Sequence, residues 1–406
     1  MLGLWFALIS STFSFSAQAA VDRLYDNASD GSPAIGLIRS ARQSLDLEIY
    51  TMKDQTVASE ILAALKRGVR VRIIQAANPV MDNCPVFKPN VPGTTPDCLA
   101  LRALVARVNQ GGGKYIPFSY ELCGTPGSFC YQHGKLIIQD KTTAMISTGN
   151  LDPSNLCDIP ELPAHCNRDF SVVTTDKDVT VALNQIFEKD LVGQAYDLGS
   201  VLRGSPRLTA SPLSLNPLVN FINSATKTIQ IHNQYLYDSD LNNALMAAAK
   251  RGVKVFVMVA SVSAFGKMNP TADLTKIQRW TTSFQAFDAA GVRSKIFDDH
   301  MTINGQPGYL HAKAILVDSA RAWVGSVNGS IQSLTQNREY GLFSNDPTLV
   351  KHLGEIMYAD FANRNAETWK QSLVCFADSC WSSQPEPDPV NEESSMNFST
   401  ELSFQD

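Results

Sequence analysis

The stretch YQHGKLIIQDKTTAMISTGN, residues 131–150, has a second version in LHAKAILVDSARAWVGSVNGS, which begins at Leu310. His133, Lys135 and Asp140 keep the spacing of His311, Lys313 and Asp318. Six residues separate each aspartate from two small residues, followed one position further on by an asparagine: Ser147-Thr148-x-Asn150 and Gly325-Ser326-x-Asn328. Further on, NRD at 167–169 is answered by NRE at 337–339. One copy alone would read as a solvated strand end. The same constellation met twice marks a tandem duplication, so the chain must fold as two similar units.

The repeat extends upstream. PAIGLIRSARQSLDLEIY from Pro33 matches PLVNFINSATKTIQIHNQ from Pro217, and AALKRGVRVRII (63–74) matches AAAKRGVKVFVM (247–258). Pro33/Pro217, Ala41/Ala225 and Arg67/Arg251 share one offset of 184. The histidines are offset by 178 and Asp169/Glu339 by 170, which locates an eight-residue excess in the first copy near CDIPELPAHC. Each copy reads as helix, strand, helix, strand and then the HxK strand. LDLEIY alternates apolar and polar positions. SEILAALKRG has helical spacing and ends in a glycine stop signal. VRVRII and VKVFVMV are β-branched runs. This alternation argues for α/β layers. The stretches at about 78–130 and 262–300 read as long loops or lids. The boundaries expected are a leader at 1–20, halves at 21–200 and 201–381, and an acidic tail at 382–406.

HGKLIIQD…STGN…NRD and HAKAILVD…GSVN…NRE, with the upstream A-x-x-RGV-x-V segments, resemble the two-motif phospholipase D superfamily, close to its bacterial cardiolipin-synthase-like branch. The resemblance covers about residues 33–370. It implies an α/β fold of two similar phospholipase D-type α/β/α sandwich halves, packed as a pseudo-dimer with one active site between them. Two departures lie in the first half: Ser147-Thr148 stands for Gly-Ser, and Asp169 for the usual Glu.

Cleaving a phosphodiester by double displacement needs a nucleophile on one side of phosphorus and an acid on the other. Two histidines related by a pseudo-twofold axis meet that need, with pKa values pushed apart. A carboxylate on the second ring nitrogen fixes tautomer and orientation. The resemblance implies that Asp169 does this for His133 and Glu339 for His311, with His133 as nucleophile and His311 as acid. Lys135 and Lys313 share the histidines' strand face and bring positive charge to the phosphoryl oxygens. Asn150 and Asn328 add donors for the phosphate, with Thr148 and Ser326 beside them. Asp140 and Asp318 belong to the motif and are counted with the catalytic set. On a regular strand they would face away from the histidines, so a turn-holding role competes. Arg168 and Arg338 read as structural ion-pair partners. His165, His232, His300 and His352 each sit singly, as exposed or core histidines. No Cys/His spacing suggests zinc and no carboxylate cluster suggests a two-metal site, so no cofactor is expected.

MLGLWFALISSTFSFSAQAA has an apolar core of signal-peptide length and ends in Ala17-Gln18-Ala19. It reads as a cleaved export signal, so a periplasmic or secreted protein is expected. The eight cysteines fall into four close pairs: Cys84/Cys98, Cys123/Cys130, Cys157/Cys166 and Cys375/Cys380. Exported chains favour disulfides, and pairing by proximity is expected. Net charge is −5, but the segment from Ser382 holds six acidic and no basic residues, leaving the rest at about +1. That lacks the broad basic footprint of a nonspecific nucleic-acid binder. The first function expected is a phospholipid phosphodiesterase or phosphatidyltransferase, acting as a monomer at a membrane surface with water or an alcohol as acceptor. The alternatives are a secreted nuclease using the same histidines and a binding protein without turnover.

Overall fold

A computed structural model describes residues 22–77, 79, 84–88, 95–157, 165–261, 274–298 and 300–374. The leader, the acidic tail, Cys375 and Cys380, and most of the eight-residue excess lie outside the described residues.

The first half runs β1 (Asp22–Asp26), α1 (Pro33–Ser40), β2 (Ser44–Ile49), α2 (Gln55–Lys66) and β3 (Arg70–Gln75). It continues with α3 (Pro96–Gln110), β4 (Lys114–Pro117), β5 (Leu136–Gln139), β6 (Thr143–Ser147), α4 (Pro153–Leu156), β7 (Cys166–Arg168), β8 (Phe170–Thr174) and α5 (Lys177–Val192). The second half has α6 (Leu198–Leu202), β9 (Leu208–Ala210), α7 (Leu215–Asn223), β10 (Thr228–Asn233), α8 (Ser239–Lys250) and β11 (Lys254–Ala260). Then follow α9 (Leu274–Ala290), β12 (Arg293–Phe297), β13 (Thr302–Ile303), β14 (Gln306–Leu310), β15 (Lys313–Val317) and β16 (Arg321–Gly325). The chain closes with α10 (Ile331–Thr335), β17 (Tyr340–Ser344), α11 (Pro347–Ala362) and α12 (Trp369–Val374).

The two seven-stranded sheets have equivalent orders, β1-β8-β6-β5-β2-β3-β4 and β9-β17-β16-β15-β10-β11-β12. β2 and β3, like β10 and β11, pair in parallel through a helical crossover, as the α/β reading requires. The expected helices and strands stand where the repeat puts them. Asp54 caps α2 by accepting from the Val57 N–H. After α2, Gly68 takes φ +87°, and Gly252 after α8 takes φ +91°, a region that favours glycine. The polar positions of LDLEIY are buried rather than facing water. Asp46 accepts two 2.7 Å bonds from Arg72, which offsets the cost of its burial.

The two long stretches read as loops are largely structured. The first contains α3 and β4; the second contains α9 and β12. α3 buries Cys98, Leu101, Leu104 and Val108, a helical spacing that the surrounding Pro and Gly residues obscured. Residues 262–273 lie outside the described residues.

The core is layered. One cluster packs α1, α2 and α3 on the outer face of the first sheet, and another packs α7, α8 and α9 on the outer face of the second. Between the sheets lies a third cluster drawn from both halves, including Ile138, Ile146, Phe170 and Val172 with Leu316, Val324, Leu342 and Leu353. Each such side chain contributes about 1.5–3 kcal/mol of transfer free energy, so much of the stability depends on the halves being joined.

Candidate active site

β14 runs parallel to β7 with Leu310 opposite Arg168. The next residues are His311 and Asp169. A parallel bridge joins Gln132 to Arg338, and the next residues there are His133 and Glu339. The backbone N–H of His311 donates to the Arg168 carbonyl at 3.2 Å, and those of His133 and Gly134 donate to the Arg338 carbonyl at 2.8 Å. Each carboxylate therefore arrives on a segment paired with the other half's histidine. His133 Nδ1 donates to Glu339 Oε2 at 2.9 Å. His311 Nδ1 donates to Asp169 Oδ1 at 2.9 Å. This corrects the pairing expected from the sequence: the partners are exchanged across the pseudo-twofold.

The carboxylates are themselves held. Thr148 Oγ1 donates to Asp169 Oδ1 at 2.6 Å, and Asn155 Nδ2 donates to Asp169 Oδ2 at 2.8 Å. Asn337 Nδ2 donates to Glu339 Oε1 at 3.2 Å. Ser326 Oγ accepts from the Tyr340 N–H at 3.1 Å, and its hydroxyl helps hold Glu339 ionised. Thr148 and Ser326 are fully buried. Both hydroxyls brace the carboxylates, Thr148 on Asp169 and Ser326 on Glu339. Gly149 allows this packing, because a Cβ there would lie 2.7 Å from Asp169 Cγ. The Asn150 and Asn328 Oδ1 atoms are buried with no hydrogen-bond partner among the described residues. Asn155 and Asn337 were not singled out from the sequence. Asn337 stands inside NRE, where its place beside the glutamate was the available signal.

Lys135 Nζ lies 3.1 and 3.2 Å from the two ring nitrogens of His133 and donates to its carbonyl at 2.6 Å. Lys313 Nζ donates to the His311 carbonyl. Both lysines are fully buried. Burial pushes Lys135 down to about 8, and burial together with Lys135 pushes Lys313 well below its ordinary value. Burial also pushes His133 and His311 down, each to about 4, with the lysines of both halves adding to the effect. The cross-half influence places both histidines and both lysines in one site. Both rings are pushed in the same direction, rather than apart as expected. Burial opposes ionisation of Asp169 and Glu339, yet the facing histidines and lysines hold both below the usual carboxylate range.

Asp140 and Asp318 stand apart from this site, which corrects their counting with the catalytic set. Asp140 and Lys141 have φ of 50° and 65°, and Asp318 and Ser319 have φ of 54° and 50°, the signature of a tight hairpin turn. The Asp140 carboxylate accepts from the N–H groups of Arg42, Gln43 and Ser44 at 2.7–3.1 Å. Asp318 does the same for Thr226, Lys227 and Thr228. Each aspartate ties the β5–β6 or β15–β16 turn to the start of the neighbouring β2 or β10.

The arginines are structural, as expected. Arg168 pairs with Asp26 and Asp360, and Arg338 with Asp190. Beside Arg338, Glu48 Oε2 accepts from Gln132 Nε2 at 3.0 Å and from the Tyr340 hydroxyl at 2.8 Å. Burial and the neighbouring Asp190 push Glu48 up to about 8. Of the single histidines, His232 is in the core, while His300 and His352 pair with Asp298 and Asp30. Three cysteine pairs form as proximity suggested: Cys84–Cys98, Cys123–Cys130 and Cys157–Cys166. No described helix is long and apolar enough to cross a membrane.

The chain matches the family described as "Cardiolipin synthase, PLD-like domain" over residues 34–191 and 218–361. It is 30% identical over 153 residues to cardiolipin synthase A of Proteus mirabilis, a match covering 37% of this chain but only 28% of that protein. It is 23% identical over 375 residues to a cardiolipin synthase of Clostridium perfringens, covering 84% of this chain and 70% of that one. Its fold is similar to that of a phosphatidylserine synthase from Haemophilus influenzae, with a TM-score of 0.60, 13% identity, and 87% and 88% of the two chains covered. A polyphosphate kinase from Porphyromonas gingivalis gives a TM-score of 0.56 at 13% identity, covering 92% of this chain and 54% of that one. Both repeats fall within the matched segments, and the chain belongs to the PLD-like domain family of cardiolipin synthases.

Proposed function

We propose that the protein is an exported phospholipase D-type phosphodiesterase and phosphatidyltransferase that cleaves phospholipids through a phosphohistidine intermediate. The observation that carries the reading is the reciprocal pair, His133 on Glu339 and His311 on Asp169, sharing one pocket with Lys135 and Lys313. Each Nδ1–H is committed to a carboxylate, so each Nε2 carries the reactive lone pair, with Lys135 Nζ 3.2 Å from that of His133. The His133 Nε2 lone pair attacks phosphorus while the bond to the leaving alcohol oxygen breaks. His311 gives that oxygen a proton. Water or a second alcohol then loses a proton to His311 and attacks phosphorus, and the P–N bond breaks. The anionic phosphodiester raises the proton affinity of the groups around it, which favours the charged form of the lysines and protonates the acid histidine on binding. The Ala17-Gln18-Ala19 signal and three disulfides support export.

The test is phospholipid turnover with added glycerol or ethanol and with EDTA, with products identified by mass spectrometry. Part of the product should be a phosphatidyl alcohol, and chelator should leave the rate unchanged. Arrest by EDTA, or consumption of single-stranded DNA in place of lipid, would overturn the reading.

A further inference from the structure

Three large apolar side chains stand exposed on segments that meet beside the histidines: Phe129 at 54%, Tyr237 at 47% and Ile331 at 59%. From Phe129 a run of ring contacts leads inward, to Tyr131 at 4.7 Å, on to Tyr50 at 5.7 Å, and from there to His133 at 4.8 Å. Tyr237 stacks on Tyr235 at 4.9 Å and 14°. Tyr235 lies within electrostatic reach of Tyr50 and Glu339 and bonds Ser330, which precedes Ile331.

Backbone and amide bonds tie these segments into one surface. The Gly124 N–H donates to the Gln336 carbonyl at 2.9 Å, and the Tyr237 N–H to the Gly329 carbonyl at 2.6 Å. The Tyr131 N–H and Gln332 Nε2 both donate to Asn337 Oδ1, at 3.0 and 3.1 Å. Residues 123–132, 233–237 and 329–337 contain no Asp, Glu, Lys or Arg; the exposed Glu121 lies beside Gly127 at the edge of the first segment. In a chain with 18% charged residues, stretches of that total length would ordinarily carry about four.

We propose that this aromatic lip, contributed by both halves and free of lysine and arginine in these segments, is a docking surface for a phospholipid layer and holds the mouth of the cleft at headgroup level. The inference rests on the phospholipid reading given above. Aromatic side chains partition to the membrane–water interface, where an apolar body and a polar edge are both satisfied. A nucleic-acid strand would need lysine and arginine at the mouth to neutralise its phosphates, and the lip has none.

The full chain and the triple variant Phe129→Ser, Tyr237→Ser, Ile331→Ser are sedimented with sucrose-loaded phosphatidylglycerol/phosphatidylethanolamine vesicles. Turnover is measured on the same vesicles and on a short-chain phosphatidylglycerol below its micellar concentration. Val192→Ser, at another exposed apolar position (68%), is the control. The triple variant should lose about tenfold or more of its vesicle binding and a similar factor in the ratio of vesicle to dispersed-lipid turnover, while Val192→Ser changes neither. Tyr237→Ser and Ile331→Ser alone should each show a smaller loss, which keeps the test valid if the triple variant misfolds. Wild-type vesicle binding by folded variants overturns the docking surface, as does loss of single-stranded DNA binding with vesicle binding intact. Absence of turnover on both lipid forms by the wild type overturns the phospholipid reading instead, and the two failures are separable because sedimentation needs no cleavage.

Discussion

His133 and His311 each lean on a carboxylate supplied by the other copy of the repeat. Removing either ring, as His133→Ala or His311→Ala, should cut turnover by about a thousandfold or more while the protein stays folded, because in the proposed mechanism each supplies a different half of one reaction. The exchange itself is checked by imidazole nitrogen NMR: Glu339→Gln should shift the His133 resonances and leave those of His311 in place. The reverse result would restore the pairing expected from the sequence. Protonation gives a second test. Each histidine sits at about 4 when folded, against about 6.5 when unfolded, so the unfolded chain takes up protons first as pH falls. Their contribution to stability is intact above pH 6.5 and is lost between 6.5 and 4. Melting temperature should fall across that window, and less steeply in His133→Asn/His311→Asn. Glu48 works in the opposite sense. Raised from 4.5 to about 8, it favours the folded state at low pH, and that advantage is lost as pH rises through 8. Glu48→Gln should therefore melt higher than the wild type at pH 8 and alike at pH 4.5. The histidines and lysines were legible because their motif is local. The carboxylate exchange was not, because it depends on strand pairing between residues 142 and 206 positions apart.

At the scale of elements, the short strand β7 carries the most consequence for its size. It begins at Cys166, bridged to Cys157, and ends one residue before Asp169. A Cys157→Ser/Cys166→Ser variant should lose activity through a displaced Asp169 even at temperatures where the protein remains folded. Circular dichroism and turnover measured on one sample would show whether the two losses separate. The hairpin turns carry stability instead. Asp318→Ala removes the acceptor of three backbone N–H groups and should cost about 1–3 kcal/mol with kcat per folded molecule unchanged, read from denaturant melts beside kinetics. The strands of the repeat were readable from β-branched runs, and α2 and α8 from spacing and their closing glycines. α3 and α9 were not, since their flanks are rich in turn-forming residues and the parallel β3–β4 pairing that demands a crossover is invisible until the sheet order is known.

For the whole molecule, the doubled motif was enough to give two α/β halves, and the sheets confirm it by their equivalent strand orders. The shared core between the sheets could not be read from either copy, because the inward faces of β5, β6, β15 and β16 are buried like any central strand. The carboxylate exchange also has a bearing on how a gene of this kind can change. A substitution at Asp169 is felt by a histidine encoded 142 codons later. Neither copy of the duplicated segment can decay while the other keeps a working half-site, so the drift that usually erodes one member of a duplicated pair has no safe target around the cleft. The outer helical layers draw on one copy each, and it is there that the two copies are free to part company.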